Sequence, residues 1–127
     1  MLSAGDKRWL NIALQQAKMA PHSQWRVGAA IVRGGSLLST GFNRYRNSPK
    51  QVDLEGVSYH AEEVALRRAG DPSGATIYVA RITRSGNLAM ARPCKRCMAM
   101  LQNSGIRYFV YTTDKQAVIE KVQLEVI

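Results

Sequence analysis

Two cysteines stand three residues apart in Pro93-Cys94-Lys95-Arg96-Cys97, and His60-Ala61-Glu62 lies 34 residues before the first of them. Cysteines at that spacing, at the start of a helix, project to the same side of its first turn. Both sulfurs can then reach one ion. The set resembles a tetrahedral zinc site, with Cys94 and Cys97 as thiolate ligands and His60 as an imidazole ligand. Three protein ligands leave one position open, which marks a catalytic rather than a closed structural site. Glu62 lies two residues past His60. If His60 opens a helix, this carboxylate sits in the same first turn, near the metal and not bound to it. A closed structural site would need a fourth Cys or His. The chain has two cysteines and two histidines, and the second histidine, His22, has no Cys or acidic partner at ligand spacing.

The scaffold around these residues can be read from caps, turns and hydrophobic runs. Ser3-Ala4-Gly5-Asp6 has the form of a capping box, and Leu10, Ala13, Leu14 and Ala17 follow at helical spacing. The pattern predicts a helix over residues 4–19, stopped by Pro21. Trp9 reads as a packing residue. Val27–Val32 and Leu37–Gly41 read as strands joined at Gly34-Gly35, a pair that accepts positive φ at both central positions of a tight turn. Residues 44–59 hold Arg44, Tyr45, Arg46, Pro49 and Lys50 without periodicity and read as a basic loop.

A second helix is expected from His60 to Ala69, with Gly70 as its stop. Glu63, about 100° around that helix from Glu62, is expected on its exposed side. Thr76–Ala80 is unbroken in hydrophobicity and reads as a strand buried on both faces. Residues 84–87 read as a turn. A third helix is expected over Cys94–Ser104, with Met98 and Leu101 inward and Gly105 as its stop. Arg107–Tyr111 and Ala117–Val122 read as strands. Too few residues separate them for a parallel crossover, so they should form an antiparallel hairpin.

His-x-Glu followed by Pro-Cys-x-x-Cys, within this order of elements, resembles the cytidine and deoxycytidylate deaminase superfamily of zinc enzymes. The resemblance covers nearly the whole chain. It extends to the small residues Val27-Gly28-Ala29-Ala30, the hairpin after them, and Gly41-Phe42-Asn43. It implies a three-layer α/β/α fold of the cytidine-deaminase type, with a five-stranded mixed sheet and an antiparallel C-terminal hairpin. It also implies Zn²⁺ as cofactor. The implied reaction is hydrolytic deamination of a cytosine nucleoside or nucleotide, of the cytidine or dCMP type, to the uracil form with release of ammonia. Glu62 would move the protons. Asn43 matches a family position that touches the sugar or base, and the main-chain N–H groups near Ala61 and Cys94 match positions that bond the base edge.

Substrate class is less sharply marked. His60 as the first ligand resembles the deoxycytidylate, tRNA and polynucleotide deaminases. The C-terminal hairpin resembles the nucleoside branch. Arg92 replaces the small or acidic residue often found before Pro-Cys, and could face a nucleotide phosphate, as could Arg44, Arg46 and Lys50. Net charge is +9, from 18 basic and 9 acidic residues. That balance suits phosphate on a nucleotide or a polynucleotide, so the alternative is a single-stranded DNA or RNA cytosine deaminase.

At 127 residues and 46% hydrophobic, the chain is expected to be one domain with its own core. No run approaches the roughly 18 apolar residues of a membrane span. The polar start predicts no signal peptide. Cysteines confined to the metal motif point to a reducing cytoplasm. The family resemblance implies a homo-oligomer.

Overall fold

The structure, a computed structural model, describes residues 3–21, 26–45, 58–91, 95–113 and 119–123. Helix α1 spans Ala4–Met19. Its start is fixed by a complete capping box. The Ser3 hydroxyl accepts from the Asp6 N–H at 3.0 Å, and the Asp6 carboxylate accepts from the Ser3 N–H at 3.1 Å. These satisfy two groups that a helix end otherwise leaves without partners.

Strands β1 (Arg26–Arg33) and β2 (Ser36–Phe42) form an antiparallel hairpin. Its turn glycines, Gly34 and Gly35, sit at φ 58° and 78°, as the twin-glycine reading requires. Two-residue strands β3 (Arg44–Tyr45) and β4 (Ser58–Tyr59) pair in a small ladder of their own. Helix α2 spans Ala61–Ala69 and ends at Gly70, with φ 74°. Strand β5 (Thr76–Ile82) turns back through Thr83–Asn87 into the two-residue strand β6 (Leu88–Ala89). Helix α3 (Lys95–Asn103), strand β7 (Tyr108–Thr112) and strand β8 (Ile119–Gln123) follow.

The main sheet has the order β2-β1-β5-β7-β8, with β6 attached to β5. Its five principal strands are those expected from the sequence. The sixth, β6, and the β3–β4 ladder are additions. Every pairing is antiparallel except β5 with β7, so the sheet is mixed. The C-terminal hairpin, β7 with β8, is present.

Strand alternation assigns the two faces. Ala29, Ile31, Ile77, Val79, Phe109 and Tyr111 point to one side, where they pack with Ala61 and Ala65 of α2 and Leu101 of α3. Ala30, Val32, Tyr78, Ala80 and Val110 point to the other, against Leu10 and Ala13 of α1. The result is the expected α/β/α sandwich.

One glycine lets a helix lie against each face. A Cβ on Gly28 would fall 2.0 Å from the Ala13 carbonyl oxygen and 2.3 Å from the Ala17 nitrogen, so α1 rests directly on β1. A Cβ on Gly41 would fall 2.8 Å from the Ala65 nitrogen and 2.9 Å from the Ala61 carbonyl oxygen, so α2 rests on β2. The second approach matters most here, because it sets the height of α2 and its first turn above the sheet. Ser39 adds a hydrogen bond from its hydroxyl to the Ala65 carbonyl at 2.7 Å.

Candidate active site

His60 is the N-cap of α2, with extended backbone at φ −70° and ψ 149°. Its carbonyl accepts the first helical bond, from the Val64 N–H at 3.0 Å. An N-cap side chain normally bonds the helix's own first turn, and the His60 imidazole makes no such bond. Instead its Nδ1 lies 3.2 Å from Cys97 Sγ on α3. The two residues are 37 positions apart, and α2 and α3 meet above the same sheet face.

Two ligands of one tetrahedral zinc, at the usual Zn–S and Zn–N lengths, stand about 3.5 Å apart. The His60–Cys97 approach therefore fits a shared metal, and nitrogen with sulfur is a donor set zinc favours. Among the described residues no trio of His, Cys, Asp or Glu gathers as a ligand set. Cys94, the expected third ligand, lies outside them.

Glu62 is buried in the first turn of α2. Its carboxyl meets Cys97 and its own backbone N–H. Burial raises its pKa, and this outweighs those two hydrogen bonds and the nearby Arg96 charge, which pull it down. The neighbouring Glu63 charge pushes in the same direction as burial. A carboxyl tuned upward in this way, beside the Cys97 sulfur, is suited to taking and returning protons.

The expectation of an exposed Glu63 is overturned. Its side chain is only 10% exposed. The side of α2 that carries Glu63 faces α3 through Arg96, and the first five residues of α2 are all buried. Glu63 meets Arg67 Nη2 at 3.4 Å through one oxygen and Arg96 Nη2 at 3.7 Å through the other.

Asn43, just after β2, is buried. Its Oδ1 accepts from the Val27 N–H at 2.8 Å, and its own N–H donates to the Val27 carbonyl at 3.1 Å. The side chain thus extends the β1–β2 ladder by one rung and is held still by it. Ala61 is fully buried, and its N–H is among those a helix start leaves without an intrahelical acceptor. Arg44 pairs by backbone with Tyr59, the residue before His60. Arg46, Lys50, Arg92 and His22 lie outside the described residues.

The structure thus brings His60 and Glu62 to Cys97, buries Asn43 and Ala61, and pairs the Arg44 backbone with Tyr59. Sequence reasoning passed over the Glu63–Arg96 pair. Its signal was present: an acid directly after His-x-Glu and a base between the two cysteines. No helix of the described residues is long and apolar enough to cross a membrane.

Residues 3–113 match the family described as the cytidine and deoxycytidylate deaminase zinc-binding region. No curated protein matches the chain. Among solved structures, a cytidine deaminase from Burkholderia pseudomallei superposes with a TM-score of 0.70 at 22% identity, over 96% of this chain and 93% of its own. A dCMP deaminase from the cyanophage S-TIM5, in complex with dCMP and dUMP, superposes with a TM-score of 0.68 at 21% identity, over 87% and 82%. RibD from Acinetobacter baumannii is 27% identical, with a TM-score of 0.56 over 84% of this chain and 27% of that one.

Proposed function

Since the chain belongs to the cytidine and deoxycytidylate deaminase zinc-binding family, we propose that it hydrolyses the exocyclic amine of a cytosine nucleoside or nucleotide, with deoxycytidylate as the leading substrate. The observation that carries this reading is the placement of Glu62: a buried carboxyl, raised in pKa, beside Cys97 and two residues from His60.

His60, Cys94 and Cys97 would hold the zinc. When bound, it supplies an activated water as nucleophile at neutral pH. Glu62 takes a proton from the attacking water and gives it to the ring nitrogen beside C4. It then moves the second proton to the departing amine. Water oxygen replaces nitrogen at C4, and ammonia leaves. Asn43, held by Val27, presents its amide to the sugar or base. The Ala61 N–H, at the positive end of α2, would bond the base edge.

Deoxycytidylate leads because the sequence offers cations that suit a 5′-phosphate. Arg44 and Arg46 precede His60 in the chain, and Arg92 stands directly before Pro93-Cys94. The dCMP deaminase with the similar fold was solved with dCMP and dUMP. The net charge of +9 favours a second reading, a cytosine deaminase of single-stranded DNA or RNA. A homo-oligomer in the cytoplasm is part of the proposal.

The test is ammonia release by zinc-loaded protein offered cytidine, deoxycytidine, their monophosphates, adenosine and a cytosine-bearing single strand. Turnover of dCMP above deoxycytidine supports the proposal. Turnover of the strand alone promotes the second reading. Release from none of the cytosine compounds overturns both.

A further inference from the structure

We propose that Glu63 is a positioning residue of the metal site: through Arg96 it fixes the orientation of α3 on α2, and so the meeting of Cys97 with His60. This rests on the reading of those two residues as zinc ligands.

Glu63 is a costly residue to keep where it is. Its side chain is nine-tenths buried, and its Oε1 has no hydrogen-bond partner among the described residues. Its Oε2 accepts one long hydrogen bond, from Arg67 at 3.4 Å. A buried carboxylate so thinly bonded is poor for stability, and an apolar side chain of similar size would often serve the core as well. What the carboxylate adds is direction. Of its two guanidinium neighbours, Arg67 sits on α2 itself, four residues on, and cannot restrain another element. Arg96 sits on α3, one residue before Cys97, and reaches Glu63 Oε1 at 3.7 Å.

The two helices are therefore joined twice within a single turn of each. His60 Nδ1 meets Cys97 Sγ at 3.2 Å, and Glu63 meets Arg96. One contact between two helices leaves them free to pivot about it. Two contacts remove the pivot. In the zinc-free protein, the second contact holds Cys97 at the distance a shared ion needs. Residues that orient metal ligands typically change metal affinity by 10–100-fold when replaced.

The experiment measures zinc affinity by competition with a chromophoric chelator, for wild type, Glu63→Gln, Arg96→Gln, the double variant and Arg67→Gln. The expected result is about tenfold weaker zinc binding for Glu63→Gln and for Arg96→Gln. The double variant should be no weaker than the weaker single, because both remove one link. Arg67→Gln should bind zinc like wild type, although it loses an ion pair of similar length. In steady-state kinetics at saturating zinc, KM should hold while kcat falls.

Wild-type affinity in Arg96→Gln, or a double variant about a hundredfold weaker, as independent effects would give, overturns the proposal. Should Glu63→Gln fail to fold, Arg96→Gln against Arg67→Gln decides alone, since both arginines are more than half exposed. Zinc affinity is read without turnover. A wild type that binds zinc and releases no ammonia would therefore sink the deamination reading separately from this one.

Discussion

On the α1 face of the sheet, the buried Asp6 accepts from the Tyr78 hydroxyl at 2.6 Å and from the Ser3 N–H at 3.1 Å. On the opposite face, Glu62 has Cys97 and its own backbone, and Glu63 has two guanidiniums without a hydrogen bond at Oε1. All three carboxylates are buried in one small protein. The first is bonded by fixed neutral donors and serves as an anchor between a helix and the sheet. Of the other two, Glu62 stands beside the Cys97 sulfur, and Glu63 has an oxygen with no hydrogen bond among the described residues. Burial of a charge is thus no sign of function by itself. The informative quantity is how completely its oxygens are satisfied, because incomplete satisfaction costs stability and is kept where chemistry uses it.

The largest effect that could break this comparison is at Glu62. Glu62→Gln should lower kcat by about 10²–10⁴-fold, the usual contribution of a proton-transferring group, while zinc content stays at the wild-type level. Full activity in that variant would make Glu62 another anchor. Next come the two glycines, one on each face. Gly28→Ala drives a methyl into the α1 backbone and should cost at least about 3 kcal/mol in denaturant unfolding. Gly41→Ala makes gentler contacts, 2.8 Å and 2.9 Å, and should cost about 1–3 kcal/mol. It should nevertheless lower zinc affinity, because it lifts the first turn of α2. A Gly41→Ala protein with wild-type zinc affinity would show that the height of α2 is not critical.

Tyr78→Phe should cost about 1–3 kcal/mol, because it leaves the Asp6 carboxylate desolvated with one donor fewer. It should leave kcat unchanged. Burial and the Asp6 contact raise the Tyr78 pKa above its ordinary 10.0. A raised folded pKa gives stability that is intact below the unfolded value and lost as pH rises through the folded one. The wild-type advantage over Phe should therefore hold up to about pH 10 and decay above it, as read by urea midpoints at alkaline pH. The smallest effect is at Asp71, exposed between α2 and β5. Its carboxylate accepts from the Ser73 hydroxyl and N–H, which lowers its pKa below 3.8. That contribution is present above pH 3.8 and lost as pH falls further. The stability gap between wild type and Asp71→Asn should close on acidification.

The same contrast explains what the sequence could reveal. Helix α1 was legible at both ends because its signals are local: a capping box within four residues and a proline after the last turn. The five principal strands were legible from apolar runs, and the antiparallel C-terminal hairpin from the short spacing between its strands. The meeting of His60 with Cys97 was legible because metal chemistry restricts which residue types can serve. Strands β3, β4 and β6 were not legible, since two residues cannot display an alternating pattern. Glu63 was misplaced for a different reason. Its angle on α2 is correct, but a helical wheel shows only which side faces the sheet. It does not show that a second helix packs beside the first on the same sheet face, and that helix is specified more than 30 residues later.

The lone parallel pairing, β5 with β7, has a consequence for how the protein reaches its native state. The β1–β2 hairpin closes over a few residues and can form early. Strand β7 can dock only after residues 83–107 have looped over the sheet, and that loop contains α3 and Cys97. Long closures of this kind are slow steps. The event that brings β7 to the sheet is the event that delivers the cysteine to the histidine. Completion of the sheet and the meeting of Cys97 with His60 are thus coupled, and recovery of zinc binding should follow the same slow phase as recovery of the β5–β7 pair.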